Sequence, residues 1–346
     1  MALPEEFGLE SGAFPTPILV AALKELGFDL VLDTNTAADL TIMEEGTELL
    51  HRLQARQERP TPFGQGDPGH DPMPMFTSCC PGWMAFVEKS EPDLAPYVST
   101  CMSPQIMYGS LLKEYSEEML GFPAEQVYLT SVMPCVRKRG ESDRHAFEHD
   151  GIRAVDNVIT TKDLGMLLRF KGIHPADLLP QKFDSPFQMD GDGKGSGAGQ
   201  LFGATGGVME AAVRTVYEIV TGSELPRLEL DEVRGLEGVK EATLVLDSDE
   251  MESPITLRVA VANGLGNVKN LIAKMKAGEV QYDFVEVMAC PGGCIGGGGQ
   301  PKGEKDSLDK RLKVMYDLDR TSVSRQPHRQ DNLRKVLGRT RWREGS

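Results

Sequence analysis

The sequence predicts an α/β fold. Stretches with helical spacing alternate with short apolar, β-branched runs bounded by Gly and Pro, and three of those runs stop at a cysteine. With 40% apolar and 26% charged residues in 346, the composition is that of an ordinary globular chain long enough to bury a real core. The net charge of -15 repels both nucleic acid and anionic membrane, so neither is expected as a partner. The N-terminus has no basic and apolar leader, and the most apolar stretch, residues 18–32, is interrupted by Lys24, Glu25 and Asp29, so no export signal or membrane span is expected. Six cysteines are too sparse for a disulfide scaffold, which points to thiolate chemistry in a reducing cytoplasm.

Taken in order, residues 17–27 place Ile18, Ala21, Ala22 and Leu26 at helical spacing, and residues 28–32 read as a short buried strand. Residues 36–48 lead into a second helix expected to run to about Leu53, with Glu44, Glu45 and Glu48 in one turn of its start, where carboxylates commonly answer the helix dipole. Residues 55–72 lack periodicity and are rich in Pro, Gly and charge, so a surface loop is expected there. It delivers the chain to a short strand that stops at Cys79 and Cys80. Neighbours in extended chain point to opposite sides, so these two thiols should have different roles.

A helix over about 103–119 precedes an apolar strand, 127–132, that runs into Pro134 and Cys135 and then the basic Arg137, Lys138 and Arg139. Next come a strand over 154–159 and a helix starting at Thr160 or Thr161. Residues 182–200 read as a mobile connection. Gly203 to Gly207 closes it before a helix to Val220, and without a nucleotide-binding glycine pattern this bare backbone suits close packing against a cofactor as well as an anion cradle. Strands over 228–230, 242–246 and 256–262, a helix over 268–277 and a strand over 284–288 complete the order. The tail beyond Pro301 reads as basic and irregular, Arg334 to Arg343 above all.

The last strand opens into Glu286-Val-Met-Ala-Cys290-Pro-Gly-Gly-Cys294-Ile-Gly-Gly-Gly-Gly-Gln300-Pro301, a composition that forms neither helix nor strand and brings bare backbone close to whatever the sulfurs hold. Ligands in open α/β sheets sit at the carboxyl ends of strands, so the three cysteine-terminated strands are expected to converge on one site. Cys290, Cys294, Cys135 and one or both of Cys79 and Cys80 give four or five thiols, leaving Cys101 aside. A closed zinc site would want Cys-x2-Cys knuckles or histidines, and the six histidines lie outside these loops. Four thiolates in Gly- and Pro-rich loops, with Met133 and Met288 each two residues before a cysteine, suit a cubane iron-sulfur cluster in an apolar pocket.

Thr77-Ser-Cys-Cys-Pro-Gly-Trp83, Met133-Pro-Cys-Val-Arg-Lys-Arg-Gly-Glu141 and the segment from Glu286 to Pro301 resemble, in order, the three signature motifs of the iron-only (FeFe) hydrogenases. The resemblance extends through Asp33-Thr-Asn, Asp39-Leu-Thr-Ile-Met-Glu-Glu, Ser103-Pro-Gln, Phe202-Gly-Ala-Thr-Gly-Gly-Val-Met-Glu-Ala and Val233-Arg-Gly-Leu-Glu-Gly-Val-Lys-Glu-Ala. It implies one catalytic domain over 1–346, with two lobes of mostly parallel sheet flanked by helices that enclose a buried metal cluster. It further implies that Cys80, Cys135, Cys290 and Cys294 hold a 4Fe-4S cluster, Cys294 also bridging to a diiron unit with CO, cyanide and an azadithiolate. Lys138 would then hydrogen-bond a cyanide, Met133, Met288, Gln105 and Phe202 would line the cofactor, and Cys79, Glu45, Ser99 and Glu48 would relay protons outward.

The implied reaction is 2H+ plus 2e- to H2, reversibly, with a ferredoxin as electron partner and maturation enzymes inserting the diiron unit. Arg137, Arg139 and Arg144 are the basic residues nearest in sequence for an acidic ferredoxin to meet. The family's domain normally begins with a further strand and a Pro-Ser pair, and this chain is expected to lack both. It also has no additional ferredoxin-like cysteines, so electrons are expected to enter the 4Fe-4S part directly. Two alternatives share the fold: a non-catalytic iron-sulfur assembly protein, which typically loses the residues around the diiron unit, and a hydrogen sensor, which tends to lose the relay cysteine. Cys79, Lys138 and Glu141 are all present here.

Overall fold

The computed structural model describes residues 1–58, 63, 72–185, 193–247 and 254–329. Two compact units emerge: Met1–Leu40 with Pro104–Gln200 and Ile295–Ser346, and Thr41–Ser103 with Leu201–Cys294. The described strands are β1 (Met75–Phe76), β2 (Thr130–Met133), β3 (Glu148–His149), β4 (Ile152–Arg153), β5 (Asn157–Thr160), β6 (Val239–Leu246), β7 (Ile255–Asn263) and β8 (Phe284–Met288).

The second unit is built on a sheet of order β1-β8-β7-β6, in which β1 and β7 run parallel to β8 and the edge strand β6 is antiparallel. Both faces are covered, as a parallel sheet requires. Leu257, Val259, Val261 and Phe284 meet Met209, Ala212, Val213 and Val216 of the helix Gly207–Thr221 on one side. Ala260, Ala262, Val285 and Val287 meet Trp83, Val87, Leu271 and Ile272 on the other. The apolar runs of β7 and β8 are thus the signature of strands buried on both faces.

In the first unit β2 and β5 pair in parallel, Thr130 beside Asn157 through Met133 beside Thr160. β5 passes directly into the helix Thr161–Lys171, whose start is fixed by a capping box between Thr160 and Asp163. β3 and β4 form a small antiparallel hairpin turned by Asp150 and Gly151 at positive φ.

Several expectations need correction. Residues 28–32 are not a strand: Val31 pairs its N–H and C=O with the side chain and backbone of Asp184, and Leu30 is exposed. No strand forms over 228–230, where the short helix Asp231–Val233 follows instead. The helix expected over 103–119 breaks at Tyr115 into Pro104–Glu114 and Ser116–Leu120. The second helix runs Thr34–Glu58, so Glu44, Glu45 and Glu48 sit in its middle and the dipole account of them fails. Asp33, just ahead of it, accepts the Asn35 N–H and supplies the acidic start.

The same helix occupies residues 55–58 of the expected loop, and of the remainder residues 59–62 and 64–71 lie outside the described residues. The connection over 182–200 contains the helical start Gly197–Leu201 with Ser196 and Ala198 buried, while 186–192 lie outside the description. The segment after Pro301 includes the helix Ser307–Thr321, and Arg334 to Arg343 lie outside the described residues.

Candidate active site

β1 and β8 are parallel neighbours, so the Cys79-Cys80 and Cys290 loops leave the same end of one sheet. Thr77 continues the pairing beyond β1, its N–H donating to Val285 and its hydroxyl accepting from Val287 N–H. The Trp83 indole donates to Thr77 C=O at 3.0 Å and pins the turn. Cys80 is extended at the start of the helix Pro81–Ser90, and Ala289 N–H points at its sulfur at 3.4 Å. Gly82 allows this approach, since a Cβ there would lie 2.8 Å from Ala289 Cβ.

The loop between Cys290 and Cys294 is tightly clamped. Gly292 N–H donates to Asn263 Oδ1 at 2.9 Å, and Gly292 C=O accepts from Thr205 N–H at 3.1 Å. Gly293 has φ +87, and a Cβ there would come 2.6 Å from Met288 Sδ and 2.7 Å from Thr205 N, so no other residue fits. Met288 is buried, and Phe202 is half-buried in the turn before the helix Gly207–Thr221. Glu286, on the same face of β8 as Met288, is fully buried and accepts from Gly206 and Met209 N–H at 2.7 Å each. Burial raises its pKa, and those two amides and Lys240 oppose the rise.

The acids of the helix Thr34–Glu58 form a chain in this unit. Glu45 is 1% exposed, and among the described residues neither carboxyl oxygen has a full hydrogen-bond partner. Burial, with the charge of Glu48 adding to it, pushes its pKa from 4.5 up to about 8, tempered by the nearby Ser78 N–H and Ser99 hydroxyl. Glu48, one turn on, accepts from Ser99 Oγ at 2.7 Å and from Thr100 N–H at 3.0 Å. Arg52 fixes it from the next turn, Nη2 at 2.6 Å, while donating also to Pro72 and Val98 C=O. Cys101 Sγ stands 3.9 Å from Glu48 Oε2, and burial beside these acids raises its pKa far above the usual thiol value.

In the first unit, β2 ends at buried Met133 and leads to Cys135 and the helix Arg137–Ser142. Lys138 Nζ pairs with Glu141 Oε2 at 3.0 Å, both largely buried. Gln105 Nε2 donates to the same Glu141 oxygen at 2.7 Å and to Lys138 C=O at 3.0 Å, and its own oxygen accepts from Ser131 Oγ. One ammonium is therefore held in place by a carboxylate that is itself held.

All six cysteines are half-buried, and none of them is joined in a disulfide. Cys80, Cys290 and Cys294 belong to the second unit and Cys135 to the first. Among the described residues no three Cys, His or carboxylate groups are drawn together as around a single metal ion. A cubane spreads its thiolates across the width of the cluster instead, and their chemistry is the test of fit. Sequence reasoning missed Arg52, Asn263, Lys240 and Glu286, whose partners are mostly backbone groups or lie far off in sequence. For Arg52 a signal existed in its i,i+4 spacing from Glu48.

Residues 1–298 match the family model described as iron only hydrogenase large subunit, C-terminal domain. The chain belongs to this iron-only hydrogenase family. It is 44% identical over 329 residues to the NADP-reducing hydrogenase subunit HndD of Solidesulfovibrio fructosivorans, which covers 94% of this chain but 53% of that protein. The chain thus spans about half the length of that hydrogenase subunit. The solved structure of [FeFe]-hydrogenase HydA1 from Chlamydomonas reinhardtii superposes with a TM-score of 0.85 at 45% identity, covering 97% of this chain and 86% of that one. A cytosolic Fe-S cluster assembly factor, narfl of Xenopus tropicalis, is 30% identical over 328 residues, 92% of this chain and 64% of that protein. Among the described residues no helix of this hydrogenase-family chain is long and apolar enough to cross a membrane.

Proposed function

We propose that the chain is the catalytic domain of an FeFe hydrogenase, interconverting two protons and two electrons with H2. Cys80, Cys135, Cys290 and Cys294 would hold a 4Fe-4S cluster, and Cys294 would also carry the diiron unit with its CO, cyanide and azadithiolate ligands. The residues fit such a group: the thiols are half-buried and outside any disulfide, soft sulfur is what iron-sulfur clusters take, and an amide already faces the Cys80 sulfur. Gly293, next to Cys294, leaves no room for a side chain against Met288 and Thr205. When bound, the group would pass electrons from the redox partner and supply the iron at which the H–H bond is made or broken.

The protein's own part is to move protons, and one observation supports this above mere cluster holding. Glu45 is a buried carboxyl that keeps its proton at neutral pH, set beside the Ser78 amide and so one residue from Cys79. Its proton is replaced through the Ser99 hydroxyl from Glu48, which Arg52 and Thr100 hold near the surface. Cys79 is the thiol that exchanges the proton last, the task of a positioned general acid-base group. Lys138, oriented by Glu141 and Gln105, supplies a compact cationic donor for a cyanide, and Met133, Met288 and Phe202 supply apolar cover.

A ferredoxin is the proposed electron partner, maturation enzymes the source of the diiron unit, and the cytoplasm the site of action. The test is hydrogen evolution from reduced methyl viologen by anaerobically matured protein. Steady evolution is expected; a reduced 4Fe-4S signal with no hydrogen formed would favour the assembly-type relatives.

A further inference from the structure

Beyond the segment that matches the family model, the helix Ser307–Thr321 carries one deeply buried cation, Arg311. We infer that Arg311, held by Glu5, is a positioning residue that fixes the glycine loop following Cys294 and through it the backbone at Cys135. The inference rests on the cluster-holding role proposed for those two cysteines.

The guanidinium is 3% exposed and spends its donors in three directions. Its Nε donates to Glu5 Oε1 at 2.8 Å and its Nη2 to Glu5 Oε2, a two-pronged pair. Its Nη1 donates to Ile295 C=O at 2.7 Å, and its Nη2 also to Pro301 C=O at 2.9 Å. Glu5 is steadied in turn by the Ser11 hydroxyl at 2.6 Å. The two carbonyls are the two ends of a loop whose middle is Gly296-Gly-Gly-Gly299. Four consecutive glycines have more backbone freedom to lose than any other residues, so the loop holds one shape only if its ends are fixed. One planar fork reaches both ends at once.

From there the constraint passes to the cysteine of the same unit. Gly299 N–H donates to Pro134 C=O at 2.8 Å, and Gly299 C=O accepts from Lys162 N–H at 3.1 Å. A Cβ at Gly299 would lie 2.8 Å from Thr160 Cβ and 2.9 Å from the Pro134 carbonyl carbon, so the loop lies flat against the residue that precedes Cys135. Ile295 is peptide-bonded to Cys294. The clamp therefore acts on the exit of one cysteine and the entry of another while touching neither. A lysine could keep the charge but, as a point donor on a flexible stem, could not bond both carbonyls and the carboxylate in one plane.

The test compares Arg311→Lys, Arg311→Gln and Glu5→Gln with Arg214→Gln as control. Arg214 is equally buried, is paired with Glu210 and donates to Leu228 C=O. Apo protein is followed by hydrogen exchange and thermal unfolding, then loaded with iron and sulfide alone and read by iron content and the EPR spectrum of the reduced cluster. In the Arg311 and Glu5 variants, exchange should quicken in peptides covering 295–301 and 133–136, and cluster affinity should fall on the order of 10-fold, the scale for a lost outer partner of a metal ligand. The EPR line should broaden. Arg214→Gln should lose thermal stability without these changes. If Arg311→Gln does not fold, Arg311→Lys and Glu5→Gln decide. Wild-type exchange and EPR in the Arg311 variants, or equal changes in Arg214→Gln, would overturn the inference. A wild-type chain that takes up no cluster would instead sink the cluster site, with the exchange data still deciding the clamp.

Discussion

Replacing Glu45 by Gln should stabilise the cofactor-free protein at high pH and disable the loaded enzyme. In the folded chain burial keeps this carboxyl protonated until about pH 8, whereas the unfolded chain ionises it near 4.5. Between those values the folded state binds more protons than the unfolded one, so the contribution of Glu45 to stability falls as pH rises and is fully lost above the folded value. A rise of this size corresponds to roughly 5 kcal/mol at about 1.36 kcal/mol per pH unit. Gln has nearly the same shape and no charge to bury. Asp33 and Asp39, raised by burial to about 6 and about 7, tilt the whole curve the same way but cancel in the difference between variant and wild type. Urea unfolding at pH 5, 6.5 and 8 should therefore show Glu45→Gln gaining about 1.4 kcal/mol on wild type per pH unit. A difference that does not change with pH would refute the claim that this buried group carries its proton at neutrality.

Cys80→Ala should leave the protein pale with a large loss of bound iron, while Cys79→Ala should keep the cluster and lower hydrogen evolution by on the order of 10²-fold; full turnover in the latter would exclude Cys79 from the relay. Gly293→Ala, forced into positive φ against Met288 and Thr205, should cost about 1–3 kcal/mol in urea unfolding and reduce iron uptake. Reversing the charge of exposed Arg137 together with half-buried Arg144 should slow ferredoxin-linked turnover at low salt and spare dye-linked turnover, and equal loss with both would place the ferredoxin elsewhere. Arg139 is paired with Asp163 and stays unchanged in that experiment.

The cysteine loops were legible because Cys, Gly and Pro announce themselves by residue type, and the buried strands β7 and β8 by their largely apolar, β-branched runs. Two of the three cysteine-terminated strands, β1 and β8, do adjoin in one sheet, whereas β2 belongs to a separate one. Glu45 and Glu48 were noticed but assigned to a helix start, because the true start at Asp33 lies where an apolar run suggested a strand end. That strand at 28–32 failed because Asp184, some 150 residues on, satisfies the Val31 N–H in place of a ladder. The roles of Asn263, Glu286 and Arg311 were not legible for a similar reason: each serves backbone amides or carbonyls distant in sequence, and no spacing rule encodes such a bond.

The central claim, a hydrogen-forming cluster held by these cysteines, is tested most directly by the infrared spectrum of anaerobically matured protein. Bound CO and cyanide stretch where no protein group absorbs. Both sets of bands are expected, retained in Cys79→Ala and lost in Cys80→Ala. A reduced 4Fe-4S signal in a protein that shows neither set after maturation would contradict it.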